Sequence, residues 1–226
     1  MTAQVGLGFG KLYTEHNIMS AEQDDSFEET EVGAPPVTRF CENGVQFYPP
    51  AYVQRYGDVC DILKNDKRWA GTIQKVVDFG CAELSLFTFL KSIPTLTTIL
   101  EVDFDEDLLY FLFIFQVLAG SVADPDYRLI GCDAVLCIEI IEHLDPWAFD
   151  RMPHNIFGFI RPRLALITTP NADFNILFPN LKEGGFRHWD HLSQLPDVLA
   201  VCSSIFPYKS SKLILVKYFF QSRCIW

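Results

Sequence analysis

Cys137 to Asp145, read as Cys-Ile-Glu-Ile-Ile-Glu-His-Leu-Asp, closes an apolar run with two carboxylates and an imidazole. Glu139, Glu142 and His143 stand at i, i+3 and i+4, so on a helix their side chains could converge on one point. Two oxygen donors and one nitrogen donor suit a hard divalent ion such as Mg²⁺ or Mn²⁺ better than a thiolate-type zinc site. The same residues also read as a plain, solvated helix start. A metal site needs a further ligand, and Phe186 to His191 supplies two imidazoles, His188 and His191, from a distant loop.

Three other stretches carry residue types able to bind a ligand. Lys75 to Glu83 is an apolar strand holding Asp78 and ending at Gly80, followed by a helix expected through about Lys91. A strand, a glycine turn and a helix form the first unit of a nucleotide-binding α/β sheet, with helix N–H groups facing the ligand. Many strands nevertheless end in glycine for steric reasons alone. Asp103 closes a second strand, Thr97 to Val102, about 20 residues past that turn, where an acid commonly accepts ribose hydroxyls. It reads equally as a helix N-cap. Phe47-Tyr48-Pro49-Pro50 precedes Gln54-Arg55-Tyr56 and is either an aromatic lead-in to a helix or a substrate contact.

These residues need elements to position them. After Pro49 and Pro50, Tyr52, Tyr56, Val59, Ile62 and Leu63 recur at helical spacing, which predicts a helix over 51–65. Val117 to Val122, with Ser121, reads as a third strand and its exit loop, Asp133 to Ile138 as a fourth, and Arg163 to Asn171 as a fifth. Strands alternating with helices imply a parallel α/β sheet covered on both faces. Ligands then belong at the carboxyl ends of the strands, where Gly80, Asp103, Ser121, Glu139 and Asn171 all fall. The segment between Asp103 and Gly120 is short for a crossover helix and a strand. Past Leu192 no motif stands out; Val198 to Phe206 and Leu213 to Phe220 are merely apolar enough for strands or a short helix.

Composition bounds the partners. Among 226 residues, 49% are hydrophobic, enough for one sizeable core. The net charge of −11 argues against broad attraction to phosphate backbones. Much of that charge lies in an acidic, aperiodic leader over residues 1–36, expected to be disordered. Seven cysteines in no regular spacing argue against a disulfide framework and for a reducing compartment, hence a cytoplasmic protein. The N-terminus does not read as a signal peptide, and the longest apolar run, Leu108 to Phe115, is shorter than a membrane span needs.

Taken in order, Phe47-Tyr48-Pro49-Pro50 with Gln54-Arg55-Tyr56, Asp78-Phe79-Gly80-Cys81, Val102-Asp103, Gly120-Ser121-Val122, the 137–144 segment, Thr168-Thr169-Pro170-Asn171 and Asp190-His191 resemble the small-RNA 3′-terminal 2′-O-methyltransferases. The resemblance covers about Cys41 to His191 and makes 37–191 the expected methyltransferase domain, with 192–226 a divergent tail. It implies a Rossmann-like class I fold, S-adenosylmethionine as methyl donor, and a piRNA-like guide RNA as substrate. Glu139, Glu142, His143 and His191 are implied ligands of Mg²⁺ or Mn²⁺, with His188 the second choice. Asp78, Gly80, Asp103 and Ser121 are implied for the cofactor, and Phe47, Pro49, Pro50 and Arg55 for the RNA. An Argonaute- or PIWI-type protein is the implied partner. The chain departs from the family at Ala82, where a second glycine is usual, in the short segment after Asp107, and after His191. The departures predict a sheet incomplete after its fifth strand and keep two alternatives open: a catalytically impaired relative, or a metal-independent small-molecule methyltransferase.

Overall fold

The computed structural model describes residues 37–41, 44–105, 117–170, 175, 212–219 and 222–225. They fall within one compact unit beginning at Pro36. The fold opens with an antiparallel hairpin, β1 (Val37–Cys41) and β2 (Gly44–Tyr48), in a register that pairs Cys41 with Gly44. A cis Tyr48–Pro49 bond then leads into α1 (Ala51–Asn65), the range the sequence predicts. Pro50 is its N-cap, and Gln54 Nε2 donates back to the Pro49 carbonyl at 2.6 Å.

The main sheet has seven strands: β3 (Lys75–Phe79), β4 (Thr98–Asp103), β5 (Val117–Ala119), β6 (Ala134–Ile138), β7 (Leu164–Thr169), β8 (Lys212–Phe219) and β9 (Ser222–Ile225). Their spatial order is β5-β4-β3-β6-β7-β8-β9, parallel through β8 and antiparallel only at β9. The order reverses between β3 and β6, and ligands of such sheets bind outside the strand ends at that reversal. Gly80 follows one of those strands and Glu139 the other.

Consecutive residues of the central strands are buried on opposite faces, which is why the strands read as unbroken apolar runs. Val77, Phe79, Val135, Cys137, Ala165 and Ile167 pack beneath Met152, Ile156, Phe157 and Ile160. Val76, Ala134, Leu136, Leu164 and Leu166 pack against Val59, Ile62 and Leu63 of α1 and against Trp69, Leu90 and Ile93. Leu63 is fully buried, and burial of such a side chain contributes about 1.5–3 kcal/mol.

Three expectations are corrected. The sheet is not open after its fifth strand: the ladder of β7 continues into β8, with Ile167 opposite Leu215 and Thr168 opposite Val216. Leu213-Ile214-Leu215-Val216 is apolar and partly β-branched, which suits a strand better than the unassigned tail expected of it. The helix expected from Gly80 to about Lys91 is reduced to α2 (Phe87–Leu90). Ala82 and Leu84 take positive φ values of 43° and 62°, which no helix accommodates. The helix expected at Glu139 begins later, as α3 (Pro146–Pro153), extended by a π-helical turn over His154–Ile160. Asp145 caps it by accepting from the Ala148 N–H at 2.7 Å, and Pro146 fits its first turn. Among the described residues no helix is long and apolar enough to cross a membrane.

Candidate active site

The turn after β3 is strapped onto β4. Gly80 N and Cys81 N donate to the Val102 carbonyl at 2.8 and 3.4 Å, and Ala82 N donates to Asp103 Oδ2 at 2.9 Å. Asp103 is buried, and its Oδ1 accepts from Asp105 N at 3.1 Å. A carboxylate has roughly four acceptor positions, so two such bonds leave room for ribose hydroxyls. Gly80 has φ +71°, and a Cβ there would collide with Ile140 Cγ2 from the loop after β6. Thus the glycine is needed twice, for its backbone angle and for close packing across the strand reversal.

Beneath this turn lie two buried carboxyls. Asp78 and Glu101 are cross-strand partners, each 3% exposed. Burial, then the neighbouring Glu101 charge, holds the Asp78 carboxyl well above its ordinary range, and burial pushes Glu101 up to about 7. Neither Glu101 oxygen meets a hydrogen-bond donor among the described residues. Desolvation likewise raises the Cys81 thiol, so it is not a reactive thiolate.

A cavity of about 360 Å³ opens at the carboxyl ends of β4 and β5, lined by Val102, Gly120, Ser121, Asp126, Tyr127 and Arg128 among others. Ser121 Oγ accepts from Ala123 N at 3.1 Å. Asn155 Nδ2 holds the loop from the other side by donating to the Val122 and Asp124 carbonyls, both at 2.9 Å. The volume suits a small ligand. The cavity lies at the carboxyl edge of the sheet that also carries Gly80 and Asp103, where sheets of this kind bind nucleotides.

The acidic turn takes a shape the sequence does not suggest. β6 ends at Ile138, Glu139 adopts φ 57°, and Ile141–His143 form a 3-10 turn. Glu139 N donates to both the carbonyl and the Oγ1 of Thr168, at 3.2 and 3.0 Å. Glu142 is buried, and its Oε2 accepts from Thr169 Oγ1 at 3.2 Å. Burial, then the Glu139 charge, pushes its carboxyl up to about 8. His143 Nε2 lies 4.0 Å from Glu142 Oε1. Glu139 turns instead to Arg55 of α1, with Nη1 and Oε2 3.2 Å apart.

The donor types are ones a divalent ion accepts: two carboxyls, of which Glu139 is already paired with Arg55, an imidazole, and a buried Glu139 Oε1 that meets no hydrogen-bond donor among the described residues. The assembly is partial, because among the described residues no three His, Cys, Asp or Glu side chains close on one point. His188, His191 and Asn171 lie outside the described residues. Phe47 sits half-buried in β2, Pro49 and Pro50 at the entry to α1, and Arg55 one helical turn beyond. Sequence reasoning assigned no role to Thr168 and Thr169. Two hydroxyls closing the apolar run Leu164 to Ile167 were the signal, since buried polar groups at a strand end need partners.

This fold is that of a Rossmann-like class I methyltransferase. The solved methyltransferase domain of bacterial CtHen1-CN superposes with a TM-score of 0.57 at 27% identity, over 68% of this chain and 83% of that one. The crystal structure of small RNA methyltransferase HEN1 gives 0.53 at 24% identity, over 75% and 21%. No family model matches the chain. In sequence it is related to the small RNA 2′-O-methyltransferases. The Drosophila melanogaster protein of that name is 40% identical over 176 residues, 69% of this chain and 45% of the relative. That of Bombyx mori is 43% identical over 146 residues, 58% and 35%. The chain therefore spans less than half the length of either relative.

Proposed function

We propose that this chain transfers a methyl group from S-adenosylmethionine to the 2′-hydroxyl of the 3′-terminal nucleotide of a small guide RNA, of the piRNA type. One observation carries the reading. In a chain related to proteins named small RNA 2′-O-methyltransferases, the Glu139–His143 turn and the Gly80 turn stand at the same ends of adjacent strands, in contact through Ile140. A cofactor cradled by Gly80, Asp78, Asp103 and Ser121 would thus meet a hydroxyl brought to Glu139, Glu142 and His143. Arg55 of α1 pairs with Glu139 of that turn and, with Phe47, Pro49 and Pro50 ahead of it in the chain, would guide the RNA end.

Transfer forms a bond from the 2′-oxygen to the methyl carbon while the bond from that carbon to sulfur breaks, and the hydroxyl proton leaves to a base. We assign Glu139, Glu142 and His143, with His191, to a Mg²⁺ or Mn²⁺ ion, which would supply Lewis acidity toward a bound hydroxyl. Glu142, pushed up to about 8, keeps a proton near neutral pH when no cation is present. It must release that proton before it can ligate a cation, so metal binding there would be weaker at low pH. An Argonaute- or PIWI-type protein presenting the RNA, and action in the cytoplasm, complete the reading.

The test is methyl transfer to short single-stranded RNA, scored by resistance of the product's 3′ end to periodate. RNA with 2′,3′-hydroxyls should be converted, and RNA with a 3′-phosphate or 2′-deoxy end should not. Equal turnover of the 3′-phosphorylated RNA contradicts the proposal. Glu142→Ala should abolish transfer while calorimetry finds S-adenosylhomocysteine binding nearly unchanged. Full activity in excess EDTA rejects the ion. A second reading, a relative impaired in catalysis, is favoured by Ala82, whose φ of 43° puts an L residue where glycine fits better. Absence of S-adenosylhomocysteine binding would select it.

A further inference from the structure

Tyr48, Tyr52, Phe104, Tyr127 and Trp147 are exposed aromatic side chains. Tyr127 borders the cavity beyond β5 and meets Phe159 edge-on, Trp147 carries the Arg151 guanidinium over its ring at 4.7 Å, and Phe104 follows Asp103 at the end of β4. Tyr52 differs in its place. It stands three residues before Arg55 on α1, hence on the same face of the helix, and Arg55 Nη1 reaches Glu139 Oε2 at 3.2 Å. Although 48% exposed, Tyr52 is held: its ring meets that of Tyr56 edge-on with centroids 5.8 Å apart, and Tyr56 meets Phe89 of α2 in the same way at 5.4 Å. Tyr56 and Phe89 pack against the core beneath α1. Burial raises the Tyr56 phenol, Arg55 lowers it, and Asp78 and Glu139 raise it again, so the middle of this aromatic file stands beside carboxyls of β3 and of the turn after β6. An edge contact covers at most one face of Tyr52, and the file therefore ends in an open ring beside the site.

We infer that Tyr52 is the stacking platform for the base of the 3′-terminal nucleotide, seating it so that the ribose hydroxyls come to the turn at Glu139. The inference rests on the reading of this chain as a small-RNA methyltransferase and needs no ion at that turn. A net charge of −11 gives the RNA backbone little general attraction, so affinity for an RNA end has to come from local contacts. Stacking is the local contact that accepts every base, because each has a π-face, and it suits an enzyme whose substrates share an end and not a sequence. A tyrosine restrained by its neighbour also gives up little freedom when a base settles on it. One helical turn spans about 5.4 Å. That is comparable to the reach from a base to the hydroxyls of its own ribose, so a base on Tyr52 leaves its ribose level with Arg55 and Glu139.

Two single-stranded RNAs of one sequence test this on the full chain: an ordinary one, and one whose 3′-terminal nucleotide lacks its base but keeps both ribose hydroxyls. For each RNA, kcat and KM of methyl transfer, and Kd by fluorescence anisotropy with S-adenosylhomocysteine present, are measured for the parent, Tyr52→Ala and Tyr52→Phe. On the ordinary RNA, Tyr52→Ala should raise KM and Kd about ten- to hundredfold, within the range of stacking on an aromatic side chain, and should change kcat less. Tyr52→Phe keeps a ring and should recover most of that loss. The parent should lose a similar factor on the baseless RNA, and there Tyr52→Ala and the parent should converge. Alanine at an exposed helix position favours the helix, and S-adenosylhomocysteine binding by calorimetry checks that the variant is folded. Should it not fold, the parent alone decides: equal affinity for the two RNAs overturns the inference. A Tyr52→Ala loss that persists in full on the baseless RNA overturns it too, since the residue would then act through structure. A parent that converts both RNAs equally well removes only the platform, whereas a parent that converts neither removes the methyltransferase reading and the platform with it.

Discussion

At Gly80 the backbone and the packing make the same demand. Gly80→Ala would strain φ +71° and drive a methyl group into Ile140, a loss of about 1–3 kcal/mol, read as a lower denaturation midpoint. Two residues on, Ala82 sits at φ 43°, so Ala82→Gly should melt no lower than the parent and should bind S-adenosylhomocysteine at least as well. The buried acids give a pH dependence with a definite sign. The Glu101 carboxyl is raised in the folded chain from its ordinary 4.5 to about 7. Its contribution is therefore fully present below 4.5 and is lost as pH rises through about 7. Chemical denaturation at pH 5 and pH 8 should show the chain weaker at pH 8 by roughly 1–3 kcal/mol, and Glu101→Gln should flatten the difference. At this scale the sequence discloses residue types but not their directions. Glu139, Glu142 and His143 are visible as donors in the sequence. That Glu139 faces Arg55 while Glu142 faces Thr169 depends on a left-handed residue that no spacing rule announces.

Among the elements, α1 was legible from end to end because its apolar period is undisturbed and two prolines fix its start. α3 was misplaced because the chemistry of Glu139 to His143 drew the helix start forward, although Asp145-Pro146 is the stronger local signal. Asp145→Ala removes the bond to Ala148 N and should cost about 1 kcal/mol, seen as a lower melting temperature. The hairpin of β1 and β2 was not foreseen either, because two five-residue strands are too short to show a clear period. The β3, β6 and β7 runs were placed within a residue or two, since strands buried on both faces stand out as apolar blocks.

For the whole molecule, a parallel sheet was implied once five strands alternated with helices, but neither its order β5-β4-β3-β6-β7 nor what lies beyond β7 was. Pairing between β7 and β8 joins residues more than 40 positions apart in sequence, from Leu164 with Lys212 to Thr169 with Lys217. Such a contact is long-range and leaves no periodic trace in the segment between. It changes what the chain should do in solution. With β7 covered by β8, and β8 in turn by β9, the apolar centre of the sheet has no bare edge on that side. Ending the chain before Lys212 would expose the full N–H and C=O row of β7, a template for pairing between molecules. That truncation should therefore aggregate, with light scattering rising on mild heating, whereas the full chain should melt cooperatively. A milder form of the same change is Leu215→Pro, which removes the backbone donor opposite Ile167 and should lower the melting temperature in the same direction. If the sheet is completed in this way, cofactor binding and fold stability are linked: S-adenosylmethionine at 100 times its dissociation constant should add about 2.7 kcal/mol to the full chain and nothing to the truncation. A truncation that stays monomeric and gains the same increment would show that β8 and β9 are dispensable to the sheet and to the site at its carboxyl edge.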